Sequence, residues 1–208
     1  MLTYKKIKIK WLGHAAFKLD NEITIYIDPF NIEKEDTADL VLITHEHYDH
    51  CSPEDIEKVC GKSTIIIAPP SCDPSIARDF KKVKPGDRVE VRGVIIDAVP
   101  AYNLGKKFHP KEKKGIGYIL TMNGVHIYHA GDTDVIPEMK KIRADIALLP
   151  VGGTYTMNAE EAVKAAELIK PKIAIPMHYG SIVGDEKDAE EFQKKCSVCQ
   201  VEILGKES

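Results

Sequence analysis

Hydrophobic and polar residues alternate along the start of the chain, and a period of two predicts β-strands. Residues 7–11 interleave isoleucine and tryptophan with lysine, and shorter strands are expected at 16–19 and 23–27. Residues 39–44 instead hold four apolar side chains in succession, which is typical of a strand buried on both faces. The first part of the chain is therefore predicted to form a sheet.

Helical signals follow this buried strand. A Ser-Pro pair at 52–53 provides an N-cap and a first-turn proline, so a helix is predicted at 53–60. A further strand is expected at 64–68, followed by a helix at 73–82 that an Asp-Pro pair opens. Strand and helix thus alternate, as they do in α/β proteins.

The second half of the chain repeats this order of strands followed by strand–helix units. Strands are predicted at 89–91, 94–99, 118–122, 125–128, 146–151, 173–176 and 201–204, helices at 159–170 and 188–195, and a lysine-rich surface loop at 103–114. The repeat divides the chain at about residue 100. Two sheets flanked by helices accommodate it.

Length and composition limit the architecture and the partners. A chain of 208 residues with 43% hydrophobic residues is long enough for one core, so residues 1–208 are expected to form a single domain. The net charge of -3 provides no overall attraction to nucleic acid or to an anionic membrane, and we expect a small-molecule or phosphorylated substrate instead. No apolar run approaches the roughly 20 residues that span a bilayer, and the N-terminus lacks the apolar core of a signal peptide. A cytoplasmic location is expected.

The cysteines support a reducing compartment. Five cysteines with irregular spacing argue against a disulfide framework. Cys196 and Cys199 form a lone CxxC pair that is open to interpretation as a redox pair, as half of a zinc site or as a disulfide. No second CxxC completes a four-cysteine zinc site, so two semi-buried thiols are the favoured interpretation.

The densest set of ligand-type residues lies at 45–50, directly after the buried strand. This stretch reads His-Glu-His-Tyr-Asp-His and contains three of the eight histidines. Imidazole nitrogens and carboxylate oxygens suit zinc and other first-row divalent ions, and a single ion does not need so many ligands. The stretch therefore predicts a paired-metal hydrolytic centre.

Ligand-type residues also follow several other apolar strands. Ligand sites in α/β proteins gather beyond the carboxyl ends of strands, so residues that are distant in sequence converge there. The residues that close predicted strands in this way are Asp28, His45, Asn103, Asp132 and His178.

These motifs, in this order, resemble the metallo-β-lactamase superfamily. The resemblance rests on HEHYDH at 45–50, Ala-Gly-Asp-Thr at 130–133 and Pro-Met-His-Tyr at 176–179, with Gly-His-Ala at 13–15 and Ile-Asp-Pro-Phe at 27–30. More narrowly, the chain is similar to the small metal-dependent hydrolases of the UPF0173 type, which are related to ascorbate-phosphate lactonases and N-acyl phosphatidylethanolamine phospholipase D. The resemblance implies an α/β fold, a four-layer αββα sandwich with a two-metal site at the shared edge of its sheets.

The resemblance also implies a set of ligands. Carried over residue by residue, they are His45 and His47 for the first ion, Asp49, His50 and His178 for the second ion, and Asp132 as the bridge between the two ions. Zinc is the default metal for a set so rich in nitrogen, and Mn²⁺, Fe²⁺ and Ni²⁺ stay open.

One residue departs from the superfamily pattern. Where a third histidine for the first ion is common, this chain has Asn103, whose amide oxygen is a poorer zinc ligand than imidazole. His109, in the same loop, is the candidate substitute, and the alternative interpretation is a solvated loop histidine. We expect Asp28 to orient a ligating imidazole, and His14 to be either a hydrogen-bond donor beside the site or a structural residue.

The expected reaction is hydrolysis of an ester, lactone or phosphodiester. Two divalent ions about 3.5 to 4 Å apart lower the pKa of a bridging water and polarise the substrate, so that the nucleophile is hydroxide. Asp49 and Asp132 are the candidate catalytic residues, because they hold the nucleophile and are placed to accept a proton. The lysines at 106–114 are interpreted either as a solvated loop or as an attraction for a phosphorylated substrate.

Two other functions are alternatives to a hydrolase. A non-catalytic metal-binding protein needs a closed cleft or a filled coordination position. A di-iron oxidoreductase of the same superfamily is the other alternative, but the motif of those relatives has glutamate where this chain has His47.

Overall fold

The computed structural model describes residues 1–33, 36–73 and 79–207. The chain divides into two compact units, Met1–Val83 with Leu204–Ser208, and Lys84–Ile203. Each unit contains one seven-stranded sheet whose strands lie side by side in chain order. The predicted division near residue 100 is therefore about 16 residues too late, because the two strands that precede residue 100 pair within the second sheet.

The sheet of the first unit is antiparallel at one side and parallel at the other. Its strands are β1 (Leu2–Tyr4), β2 (Ile7–Gly13), β3 (Ala16–Asp20), β4 (Thr24–Ile27), β5 (Ala38–Leu42), β6 (Cys60–Ala68) and β7 (Asp79–Lys82). Neighbours are antiparallel from β1 to β4 and parallel from β4 to β7. Strand β5 thus has parallel neighbours on both sides, in keeping with its continuous apolar run.

Helix α1 (Pro53–Val59) covers part of this sheet. The Ser52 side chain accepts a hydrogen bond from the backbone N–H of Asp55, which caps the helix as the sequence predicts. Ile56 and Val59 are fully buried in a core cluster that also contains Val41 of β5. The helix therefore fixes the segment that directly follows residues 45–50.

One predicted element of the first unit is wrong. The end of the predicted helix at 73–82 is the strand β7, and residues 74–78 lie outside the described residues. Phe80 of β7 lies opposite Ile66 of β6, and its half-buried ring packs against the core. Pairing with β6 and burial of this ring outweigh the local helical signal.

The second unit contains the other sheet. Its strands are β8 (Arg88–Val91), β9 (Val94–Pro100), β10 (Ile116–Met122), β11 (Val125–His129), β12 (Ile146–Pro150), β13 (Ile173–Met177) and β14 (Gln200–Val201). Neighbours are antiparallel from β8 to β11 and parallel from β11 to β14. The last strand is shorter than the predicted 201–204.

Two helices flank the strands of this unit in sequence. Helix α2 (Ala159–Ile169) begins at the capping box of Asn158 and Glu161, as predicted. Helix α3 (Glu186–Lys195) starts two residues earlier than predicted, because Asp185 and Asp188 form a second capping box. Short 3₁₀ helices occupy Lys111–Lys113 and Pro137–Lys141. Among the described residues, no helix has the length and apolar character required to cross a membrane.

Candidate metal centre

The stretch at 45–50 forms a tight turn after β5. The backbone N–H groups of His50 and Cys51 both donate to the carbonyl of His47, at 3.0 and 2.8 Å. This turn brings the imidazole rings of His45 and His50 to a centroid separation of 4.0 Å, and those of His45 and His47 to 4.6 Å. Three histidines therefore converge within one unit.

Asp28 is the hydrogen-bonding hub behind these histidines. It follows β4, is fully buried, and has a left-handed φ of 46° that turns the chain sharply. Its carboxylate accepts from the backbone N–H of Thr44 at 2.8 Å, from the Thr44 hydroxyl at 2.6 Å and from Nδ1 of His50 at 2.7 Å. The predicted contact between Asp28 and an imidazole is confirmed, and it leaves the lone pair of His50 on Nε2.

Thr44 extends this network to His45. Its hydroxyl donates to Asp28, so it accepts from Nδ1 of His45, which lies 3.0 Å away. The lone pair of His45 is then on Nε2, as a metal ligand requires. Sequence reasoning missed this role of Thr44, although its place directly before the motif is a usable signal.

Nε2 of His45 and Nδ1 of His47 lie 3.1 Å apart. Two imidazoles on one tetrahedral zinc ion, with Zn–N distances of about 2.0 to 2.1 Å, place their nitrogens about 3.3 Å apart. The observed separation therefore fits two ligands of a single ion.

Asp49 lies on the other side of His50. Its Oδ2 is 3.0 Å from Nε2 of His14 and 3.7 Å from Nε2 of His50. His14 is 2% exposed, and its predicted role as a hydrogen-bond donor to a site residue fits this contact. A second ligand-type pair, Asp49 and His50, is thus held in the first unit.

The second unit brings two further candidates, His109 and His178, together around Asp132. Oδ2 of Asp132 is 3.1 Å from Nε2 of His178 and 3.4 Å from Nε2 of His109. Asp132 is 4% exposed and His178 is 1% exposed. The loop histidine His109 has a side chain that is 8% exposed. The interpretation of His109 as a solvated loop histidine is therefore wrong.

The position of His178 depends on a close approach between its backbone and Gly152. His178 follows β13 with a left-handed φ of 61°, and a Cβ on Gly152 would lie 2.2 Å from its carbonyl oxygen. Only glycine allows that approach. Burial also raises the pKa of the adjacent Tyr179 to about 12, so its phenol stays protonated near neutral pH.

Asn103 holds the loop that carries His109. Its Nδ2 donates to the carbonyls of Tyr155 and Phe108 at 2.6 and 3.0 Å, while its Oδ1 is buried without a hydrogen-bond partner among the described residues. The carbonyl of Tyr155 also lies 3.3 Å from Nδ1 of His109. Because a carbonyl only accepts, Nδ1 donates and Nε2 of His109 carries the lone pair.

The lysine-rich loop is tied to the rest of the unit by an ion pair. Nζ of Lys106 lies 2.5 Å from Oδ1 of Asp134 and 2.6 Å from the carbonyl of Thr156, and the backbone N–H of Leu104 donates to Oδ2 of Asp134 at 2.7 Å. Lys106 is therefore a partly buried cation that holds the loop through its contacts with Asp134 and Thr156. Sequence reasoning missed Asp134, although it follows Asp132 by only two residues.

Comparison with known proteins independently supports the family that the sequence motifs indicate. The family described as Beta-lactamase superfamily domain matches residues 8–178. A UPF0173 metal-dependent hydrolase of Archaeoglobus fulgidus is 35% identical over 95% of this chain and 95% of its own length. One from Pyrococcus abyssi is 38% identical over 90% of this chain and 91% of its own.

A solved structure supports the same assignment of the fold. Igni18, a novel metallo hydrolase from Ignicoccus hospitalis, matches with a TM-score of 0.81 at 26% identity, over 97% of this chain and 96% of that chain. These matches confirm the α/β fold class that the motifs predict.

Proposed function

Because this chain belongs to the beta-lactamase superfamily and, within it, to the UPF0173 metal-dependent hydrolases, we propose that it cleaves an ester, lactone or phosphodiester bond with two divalent ions. The observation that carries the proposal is the contact of 2.7 Å between Asp28 and Nδ1 of His50. A buried carboxylate that fixes the tautomer of a histidine is the usual support of a metal-binding imidazole. A hydrolase of this type needs such prepared ligands.

The proposed ligands are the seven metal-ligand candidates that the sequence offers. They are His45, His47 and His109 for the first ion, Asp49, His50 and His178 for the second, and Asp132 as the bridge. Within each unit, the separations of 3.1 to 3.4 Å between these nitrogen and oxygen atoms suit ligands that share an ion. This nitrogen-rich donor set favours zinc over magnesium or calcium, with Mn²⁺, Fe²⁺ and Ni²⁺ as the other candidates.

The bound ions would supply hydroxide from water near neutral pH and polarise the carbonyl or phosphoryl oxygen of the substrate. The side chains of this protein have two tasks. Asp28 and Thr44 keep the ligating nitrogens of His50 and His45 unprotonated. Asp49 and Asp132 would hold and orient the attacking hydroxide, and one of them would accept a proton during the reaction. The contact from His14 at 3.0 Å orients the carboxylate of Asp49 for this task.

We assign the third nitrogen of the first ion to His109 and not to Asn103. Both donors on Nδ2 of Asn103 are used by backbone carbonyls, which makes this residue a support of the loop. His109→Ala is expected to lower the affinity for one of the two ions by about a hundredfold, measured by metal content after dialysis against a chelator. Asn103→Ala serves as the comparison, with a smaller loss. Unchanged metal content in His109→Ala would exclude His109 as a ligand.

The function is tested by joining elemental analysis to a substrate screen. The purified wild-type protein is expected to hold two divalent ions per chain and to hydrolyse at least one member of a panel of neutral esters, lactones and phosphodiesters. His47→Ala should lose one ion and reduce kcat/KM by at least about a hundredfold. His126→Ala is the matched control, because His126 is half exposed and pairs with Asp145 at 3.5 Å.

Each other outcome of this experiment has a clear meaning. Two bound ions with no activity on any substrate class would identify a non-catalytic metal-binding protein. A folded protein that binds no metal and cannot be reconstituted would refute the proposal. Two iron ions with an oxygen-dependent reaction would identify the oxidoreductase alternative.

The substrate class is tested on the lysine-rich loop. Lys106 is excluded because it holds Asp134, whereas Lys107 and Lys114 are exposed. If these cations attract phosphorylated substrates, Lys107→Gln with Lys114→Gln lowers kcat/KM for phosphodiesters and leaves neutral esters unchanged. Equal losses on both substrate types would reject that role.

We also infer a reducing, cytoplasmic location, which the five free thiols support.

A further inference from the structure

The CxxC pair of the second unit brings two thiols into contact, and neither belongs to the candidate ligands. Sγ of Cys196 lies 3.6 Å from Sγ of Cys199. Cys196 is 9% exposed and Cys199 is half-buried. The interpretation as two semi-buried thiols therefore describes the exposure of the two cysteines but not the contact between their sulfur atoms.

The backbone on both sides of the pair is held in place. Cys196 is the C-cap of α3, and its N–H donates to the carbonyl of Phe192 at 2.9 Å. Directly after Cys199, the N–H of Gln200 donates to the carbonyl of Lys172 at 3.1 Å as β14 begins. Nε2 of Gln193 also donates to the carbonyl of Val201 at 2.9 Å, which ties α3 to β14. The two sulfur atoms are therefore held close together without a covalent bond.

We propose that Cys196 and Cys199 are a covalent modification site, a dithiol that reacts with low-molecular-weight disulfides of the glutathione class and closes to an intramolecular disulfide. The more exposed thiol, Cys199, reacts first. Its thiolate attacks the small disulfide, the S–S bond of that disulfide breaks, and one small thiolate leaves. The thiolate of Cys196 then attacks Sγ of Cys199 and expels the second small thiolate. Two protein thiols are oxidised and one small disulfide is reduced to two thiols, with the two protein protons transferred to the leaving thiolates.

The surroundings make the first step slow and the second step fast. Burial, followed by the hydrogen bond with Cys196, raises the pKa of Cys199 to about 12. The C-terminal end of α3 also disfavours negative charge at this point. Only the thiolate attacks, so the first step is rare near neutral pH. Closure needs no diffusion, because the second sulfur is already 3.6 Å away.

This arrangement is the reverse of that in a catalytic disulfide oxidoreductase. Those enzymes lower the pKa of the attacking cysteine, often at a helix N-terminus, whereas this pair follows a helix C-terminus. The dithiol is therefore a slow acceptor of oxidising equivalents and not a turnover catalyst.

The test uses the full-length protein incubated with oxidised glutathione, followed by intact mass and by peptide mapping after alkylation. The wild type is expected to lose the mass of two hydrogen atoms and to protect Cys196 and Cys199 from alkylation. The rate should rise about tenfold from pH 7 to pH 8, because the thiolate fraction rises tenfold per pH unit below the pKa. Dithiothreitol should restore both thiols.

Two variants locate the reaction. Cys196→Ser should stop at one glutathione adduct on Cys199, since the resolving thiol is absent. Cys60→Ser is the control and should form the Cys196–Cys199 disulfide like the wild type. Cys60 is a separate thiol, and burial raises its pKa to about 11. A stable adduct on Cys199 in the wild type, or a failure to protect Cys196 and Cys199 from alkylation, would overturn the proposal. No hydrolytic activity is measured, so the result is independent of the proposed function.

Discussion

Replacing Asp28 by asparagine tests whether the buried carboxylate prepares His50 for metal. Asparagine tolerates the left-handed φ of 46° at this residue, so the backbone is kept. Its Oδ1 still accepts from the backbone N–H of Thr44. Its amide group, however, meets Nδ1 of His50, where the carboxylate accepted at 2.7 Å. Since two N–H donors cannot pair, His50 must move its proton to Nε2, which removes the ligating lone pair.

The hydrogen bonds of Asp28 determine how much stability and how much metal affinity this substitution should cost. Three hydrogen bonds to a charged acceptor become bonds to a neutral group, which costs about 1 kcal/mol each and about 3 kcal/mol in all, less the relief of carboxylate desolvation. We therefore expect the metal-free protein to lose about 2 kcal/mol of unfolding free energy. The altered tautomer should weaken metal binding by about 10- to 100-fold.

The assay joins urea denaturation of the metal-free protein to competition with a chromophoric chelator. Asp55→Asn is the matched control, because Asp55 is also a buried carboxylate of the first unit that accepts backbone N–H groups, those of Asn31 and Ile32. It should lose stability and keep its metal affinity. Equal metal affinity in Asp28→Asn and the wild type would refute the tautomer argument, whatever the change in stability.

Two further predictions rest on local geometry. Gly152→Ala should lower the unfolding free energy by about 1 to 3 kcal/mol and weaken metal binding, because the new Cβ collides with the carbonyl of His178. Gly205→Ala is the control, because nothing lies within 4 Å of a Cβ at that residue. It should change neither the unfolding free energy, measured by calorimetry, nor the metal affinity, measured by titration. Burial alone would raise the pKa of Asp55, but the hydrogen bonds from Lys58, Ser52 and two backbone N–H groups outweigh it and lower this pKa. A carboxylate whose pKa is lower in the folded protein stabilises the fold at pH values above its unfolded pKa of about 3.9. This stabilisation is lost as the pH falls through the pKa of the folded state. The difference in unfolding free energy between the wild type and Asp55→Asn should therefore narrow from about pH 6 to pH 3. A gap that widens on acidification would contradict the sign.

Local patterns predicted most elements because their signals lie within a few residues. The alternation at 7–11, the cap at Ser52 and the capping box at Asn158 each determine an element through contacts inside it. The failure at 73–82 has the opposite cause. Strand β7 is held by its neighbour β6 and by burial of Phe80, and neither is visible in the local sequence.

The candidate site divides in the same way. The order of the motifs was sufficient to select His45, His47, Asp49, His50, Asp132 and His178 as ligand-type residues, because ligand chemistry depends on residue type and spacing. The choice between Asn103 and His109 needed coordinates. Only the fold shows that the amide of Asn103 is used by two carbonyls while Nε2 of His109 reaches within 3.4 Å of Asp132.

The sequence by itself determined the fold class, the family and the candidate ligands, since these follow from local periodicity and from motifs a few residues long. The tertiary structure alone decided which groups stand behind those ligands. Thr44 and Asp28 are 16 residues apart, Lys106 and Asp134 are 28 apart, and no local pattern links either pair. Such contacts arise only when strands that are distant in the chain pair and bring their ends together, which is why hydrogen-bond support and tautomer could be read only from the folded chain.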